Sequence, residues 1–286
     1  MKQVIILIFV SNCFFAFAQD DLLSILSEEK EFKVLSTFKT TKIINGQSVE
    51  LVDFGVLQFL IQHRFGTLNS GMYNFYGLDN AQVRFGFDYG LSDYFSLGIG
   101  RSSFLKTVDL NAKIKLYNQI EGKNSFPFTI VWYSAAFFEQ STYQDMQDTS
   151  YNFINKLSYA HQILIAQKIN RKLSMQIFPS VVHKNLVTKD DFHDFLSIGI
   201  GGRYKLSSRI SVNTEYFLQI QKNNSVSPFS IGLDIETGGH VFQLHLSNSP
   251  AMFERAFIHE TNDKWMDGSI YFGFNISRVF LIKNRS

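Results

Sequence analysis

Alternation with a period of two recurs along almost the whole chain, and it limits the fold more than any other feature. Val83, Phe85, Phe87 and Tyr89 are interleaved with Gln82, Arg84, Gly86 and Asp88. Val108, Leu110, Ala112, Ile114 and Leu116 are interleaved with Asp109, Asn111, Lys113 and Lys115. Phe229, Ile231, Leu233 and Ile235 alternate with Ser230, Gly232, Asp234 and Glu236, and Ile270, Phe272, Phe274 and Ile276 with Tyr271, Gly273, Asn275 and Ser277. Successive strand side chains point to opposite faces, so each segment carries one apolar face and one polar, small or charged face.

Twelve such segments are predicted, at about 53–65, 80–90, 94–103, 107–119, 127–138, 153–169, 172–184, 193–205, 209–220, 227–237, 240–248 and 268–282. A soluble β-sandwich would also alternate. The apolar positions, however, run four or five deep, which suits the ~9–11-residue strands that cross a bilayer. Charges also fall in mid-strand, as at Arg84, Lys113 and Glu215. The expected fold is all-β: a transmembrane antiparallel up-and-down barrel of about twelve strands. The fifth and sixth segments alternate poorly, which leaves ten or fourteen strands open.

Loop lengths give an independent check. The connections after the second, sixth, eighth and tenth segments are short, such as Leu91-Ser92-Asp93 and Gly238-Gly239. Those after the first, fifth, seventh and eleventh are longer: 66–79, 139–152, 185–192 and 249–267. Short periplasmic turns and long extracellular loops predict this, with both termini in the periplasm. The third-to-fourth connection is short and breaks the trend.

Export is written at the start. Lys2, the apolar run Val4–Phe17 and the small-x-small site Ala16-Phe17-Ala18 read as a secretory signal peptide over residues 1–18. The run is too short to span a membrane as a helix. Cys13, the one cysteine, lies within it, and Asn12 and Phe14-Phe15 fit a lipoprotein anchor poorly. Processing removes Lys2 and lowers the formal charge from +2 to +1. So weak a balance does not suit a nucleic-acid binder. Residues 19–52 form an N-terminal segment: a short amphipathic helix is expected at 20–33, then extended or turned chain around Asn45-Gly46. It is read as an ordered periplasmic extension, with a lumen plug or a strand on the barrel edge as alternatives. The barrel proper is placed at 53–286.

Four runs then resemble a family of Bacteroidetes-type membrane β-barrels of unknown function: Thr40–Glu50 (TTKIINGQSVE), Gln62–Gly66 (QHRFG), Tyr76–Ala81 (YGLDNA) and Gly98–Phe104 (GIGRSSF). The likeness is best over 40–120; beyond that only the strand pattern agrees. It implies an outer-membrane location and brings neither catalytic residues nor a ligand.

The phasing places Arg84, Lys113, Lys115, Arg203 and Lys205 inward, with Asp88, Asp109, Glu215, Asp234 and Glu236 opposite them. An ion-selective channel lines itself with one sign. A balanced set points to cross-strand ion pairs that partly fill a narrow or occluded lumen, since buried charges need partners. Passive transport or binding of a small solute is the leading function. Structural or surface recognition through the loops 139–152 (Gln140, Tyr143, Asp145, Asp148) and 249–267 (Met252, Phe253, Trp265) is the alternative. A more distant one is a lipid hydrolase using His245 and Ser247, which share a face in His245-Leu246-Ser247 and have Asp234, Glu236 or Asn275 as orienting groups. No catalytic residue, cofactor or metal is assigned. His193-Asp194 and His259-Glu260 are read as solvated loop residues, and Gly98, Gly100, Gly199, Gly201 and Gly202 as close packing at the wall. Tyr89, Tyr94, Phe54, Phe65, Phe137 and Tyr204 are read as interfacial girdles. Membrane lipid and an unidentified solute or surface molecule are the expected partners.

Overall fold

A computed structural model of the chain describes residues 31–140, 152–187, 192–221 and 225–284. The signal peptide, most of the amphipathic stretch at 20–33 and loop positions 141–151 lie outside the described residues.

Twelve antiparallel strands close into one barrel. They are β1 (Val56–Thr67), β2 (Ala81–Ser92), β3 (Phe95–Ser102), β4 (Val108–Tyr117), β5 (Thr129–Phe138) and β6 (Leu157–Lys168). The second half contains β7 (Leu173–Lys184), β8 (Asp194–Lys205), β9 (Ile210–Gln219), β10 (Phe229–Thr237), β11 (His240–Ser247) and β12 (Tyr271–Leu281). Each predicted segment becomes one strand. The seam closes β12 onto β1, with Ile276 opposite Ile61 and Phe274 opposite His63. Closure leaves no open edge, which a wall in lipid requires.

Alternation sets the two faces. Phe85, Phe87, Leu97, Ile99, Leu110, Ile198, Ile200 and Leu244 are exposed on the outside. Phe65 stacks on Phe272 there, and Tyr94 and Tyr204 stand exposed near strand ends. Phe137 is different: it is fully buried and faces inward, so it is no girdle residue.

Tight turns follow β2, β6, β8 and β10 at one end, the turn end. The β4–β5 connection also lies there, where Ile120–Glu121 pairs with Phe32–Lys33 in a two-residue ribbon. The longer connections gather at the opposite, loop end. The one after β11 contains a short helix, α1 (Glu254–His259), every residue of which is buried.

Two inserts fill the barrel. From the turn end, residues 37–49 rise into the lumen as a hairpin bridged at Lys42 and Gln47. From the loop end, Ala251–Ile258 descends into it. Both pack on an apolar half-wall made by β5 to β9, including Val131, Tyr133, Phe137, Leu164, Phe178 and Phe217. The Phe253 ring lies 5.4 Å from Phe137, and Phe257 lies 5.0 Å from Phe217. This explains the weak alternation of the fifth and sixth segments. Their outer faces are largely apolar, and inward Val131, Tyr133, Ala135, Phe137, Ala160, Leu164 and Ala166 join the core, so apolar residues fall on both faces. The remaining half-wall, β1–β4 and β10–β12, carries most of the charges and amides.

Candidate functional site: a polar lumen closed by two inserts

The ten inward charges take different partners from those expected. Only Arg84 and Asp109 form an ion pair within the set: Nη2 lies 2.6 Å from Oδ1, and Nε donates to Oδ2 at 2.9 Å. The two residues sit on β2 and β4, so the pair reaches across β3. It crosses at Gly100, where a Cβ would collide with both groups. A general network of cross-strand ion pairs is therefore not what fills the lumen. Most of the other charges turn to the hairpin.

Lys113 Nζ donates to the carbonyls of Thr41 at 2.7 Å, Ser48 at 2.9 Å and Glu50 at 3.1 Å. Glu215 accepts three consecutive hairpin N–H groups, from Ile44 (3.2 Å), Asn45 (2.8 Å) and Gly46 (3.0 Å). Gly46 must be glycine because a Cβ there would lie 2.9 Å from the Phe217 ring. Arg203 reaches the Thr37 carbonyl at 3.3 Å. Asp234 accepts from Gln243 at 2.7 Å. Asp88 lies near the Thr41 hydroxyl (3.4 Å), and Glu236 pairs with Lys39. Lys115 and Glu236 line a cavity of about 520 Å³ at the turn end, together with Lys39, Glu50, Asp53 and His240. Lys205 lies half-buried at the last inward position of β8.

Several site residues escaped the sequence reading. Gln176 clamps the hairpin at two points, accepting from Val49 N–H at 2.9 Å and donating to the Gln47 carbonyl at 2.7 Å. Gln243 and Asn275 donate to the carbonyls of Ile43 and Ile44, at 2.6 and 3.1 Å. Arg64, fully buried, donates to Asn45 Oδ1 at 2.8 Å, to His245 Nε2 at 2.9 Å and to loop carbonyls of Ser249 and Ala251. Parity would have found Arg64, because Leu60, Gln62 and Arg64 share the inner face of β1.

Where the inserts meet, Glu254 of α1 collects Lys42 (3.0 Å), Gln47 (2.8 Å) and the Tyr133 hydroxyl (2.9 Å). Burial pushes its carboxyl up, but Lys42 and Arg84 outweigh that and hold it below the usual carboxylate range. Arg255 anchors the other side of α1, to Glu139 at 2.8 Å and Glu260 at 2.6 Å, with Lys184 on Glu260 at 3.0 Å.

Three expectations are corrected here. His245 and Ser247 do share an inward face, but they are sealed beneath the inserts and away from lipid. The Arg64 guanidinium only donates, so His245 Nε2 must accept, while Ser247 Oγ accepts from Ser230 at 2.9 Å. The nitrogen that a Ser–His couple would use is taken. Met252 and Phe253 are buried in the lumen and present nothing to a surface partner, and Trp265 Nε1 is bonded to the Phe229 carbonyl at 2.9 Å. His259 is likewise buried, its ring edge-on to Phe195, rather than solvated.

A closed transmembrane-length barrel with an apolar outer face and a lumen shut by its own chain defines an occluded membrane β-barrel. The chain belongs to the family of the membrane-bound β-barrel domain DUF5777, whose model matches residues 38–280. The match begins at Phe38, so the hairpin is part of the family's domain. No curated protein matches the sequence. Among solved structures, the chain is similar to the NanC porin (10% identity, 80% of this chain and 100% of that one, TM-score 0.49). It is also similar to the KdgM porin (7%, 79% and 99%, 0.49) and to the COG4313 outer membrane channel from Pseudomonas putida F1 (12%, 81% and 97%, 0.48).

Proposed function

We propose that this is an outer-membrane conduit for a small polar solute, at rest in a closed state, with the hairpin as its removable gate. The short turns and both hairpin ends then face the periplasm. One observation carries the reading: the hairpin enters and leaves the lumen through the same mouth, held there by hydrogen bonds and by the packing of Phe38, Ile43, Ile44 and Val49. The ribbon at Phe32–Lys33 and the bridge between Phe54 and Gly90 both lie at the turn end. Withdrawal therefore needs no threading. It would uncover a wall already furnished with Lys113, Glu215, Gln176 and Arg64. The turn-end cavity of about 520 Å³ gives a solute a place to wait outside the gate. A twelve-strand wall is wider than one that side chains alone can fill, so an inserted segment is needed for closure.

The test is conductance in planar bilayers. The native chain should be silent. The full-length I43D/I44D variant places two carboxylates in the apolar core, which expels the hairpin. Trypsin cleavage after the normally buried Lys42 reports that expulsion. Stable steps from the expelled form support the conduit. A folded barrel with Lys42 cleavable and no conductance sinks it.

A second reading, recognition at the outer surface, is favoured by the exposed side chains of Met72, Tyr73, Phe75 and Met266 on two loops joined by Asn69 to Asp267 and Ser269. If Tyr73→Ser and Met266→Ser leave every cell-surface interaction unchanged, that reading is wrong.

A further inference from the structure

We infer that the solute is a short peptide, and that the hairpin is a built-in occupant of a main-chain-reading site. This rests on the conduit reading above and names its substrate class. The wall contacts the hairpin mostly through backbone groups. Glu215 gathers the N–H groups of Ile44, Asn45 and Gly46. Gln176 pairs with the Val49 N–H and the Gln47 carbonyl, the two-point pattern an adjacent strand would make. Gln243, Asn275 and Lys113 take the carbonyls of Ile43, Ile44, Thr41, Ser48 and Glu50.

Buried backbone must be satisfied somewhere, and a hairpin normally does this across its own strands. Here the cross-hairpin backbone bonds are Ile43 to Gly46 and Ser48 to Thr41, at 2.8 and 2.9 Å. The wall supplies much of the rest. Such contacts are indifferent to side-chain identity, so another extended peptide brings the same donors and acceptors at the same spacing. The side-chain pockets are equally general. Ile43 lies over the bare backbone of Gly201 beside Phe178, and Ile44 over Gly232.

The charges suit peptide ends. Glu215 already accepts N–H groups and would accept an α-ammonium. Arg64 is bonded to carbonyls, Asn45 and His245 but to no carboxylate among the described residues, and Lys113 is bonded to carbonyls. Either could take a terminal carboxylate. An oligosaccharide offers hydroxyls but no regular amide ladder.

The experiment uses full-length I43D/I44D in detergent, with heat-modifiable migration as the check on folding. The probe is a fluorophore-labelled peptide of the sequence TTKIINGQSVE, followed by anisotropy. Saturable binding is expected, displaced by unlabelled short peptides bearing adjacent branched aliphatic residues and not by a neutral oligosaccharide of similar mass. N-methylation of the amides matching Asn45 and Gly46 should weaken binding at least tenfold, and so should Q176L added to the same background. Equal competition by the oligosaccharide, or indifference to N-methylation, overturns the inference while conductance through the same variant keeps the conduit. A folded variant with Lys42 cleavable that neither conducts nor binds peptide overturns both. A hairpin that stays protected from trypsin despite two aspartates, with no peptide bound, also counts against both, because the contacts are then not exchangeable.

Discussion

Lys42 and Glu254 meet 3.0 Å apart inside the lumen, one from each insert, and both are buried. They are 212 positions apart in sequence and, with Gln47 also on Glu254, join the hairpin to the segment descending from the other side. Removing one partner strands a buried charge, which costs about 3–5 kcal/mol. Lys42→Met should lower the urea midpoint by a corresponding amount. The double variant Lys42→Met/Glu254→Gln should recover much of the loss. If each single change is silent, the pair does not hold the inserts together.

The pH dependence of closure follows from the same helix. Burial raises the carboxyls of Glu254 and Glu260, but Lys42 and Arg84 at the first, and Arg255 and Lys184 at the second, bring both below their ordinary value. A depressed carboxylate contributes stability above its unfolded pKa of about 4.3 and loses it as pH falls through the lower folded value. Tryptic protection of Lys42 should therefore persist from neutral pH to about 5 and weaken only in stronger acid. Opening near pH 6 would contradict this.

Glycine in β3 is expected to be a steric requirement. A Cβ at Gly100 would collide with the Arg84–Asp109 pair, whereas at Gly202 the nearest atom would be the Ser174 carbonyl oxygen at 3.7 Å. Gly100→Ala should destabilise by about 3 kcal/mol, the cost of disturbing a buried ion pair. Gly202→Ala should fall within about 0.5 kcal/mol of the native chain. Urea unfolding of the two variants side by side checks the contrast.

Ser247→Ala should leave phospholipid turnover by membranes containing the protein at the background of membranes lacking it, since His245 Nε2 is committed to Arg64. Lipid release that depends on Ser247 would restore the hydrolase reading.

The wall was legible in the sequence because lipid imposes one rule on every outward position. Phe85, Phe87, Ile198 and Ile200 obey it, and the inward parity of Arg84, Lys113 and Glu215 followed. The filling was not legible, because the rule inside is set by partners far away in sequence. Lys42, Asn45 and Gly46 look like an exposed turn and are buried because Glu254 receives Lys42 while Glu215, Arg64 and Ser230 receive the turn. Glu254 and Arg255 look like loop surface but are paired inside. Tyr133 and Phe137 blurred the strand pattern because they belong to a core that local periodicity does not describe. A sharper signal was present in Ala251-Met252-Phe253 and Phe257-Ile258, apolar runs flanking the two charges of a segment assigned to the outside.

The position of α1 in the chain has a consequence for assembly. It lies between β11 and β12, and β12 is also the strand that seals the circle against β1. The last stretch of polypeptide to join the wall thus brings its own ballast with it. The cylinder is packed and zipped by one covalent unit, and a chain halted before Tyr271 would have neither its final stave nor a fastened seam.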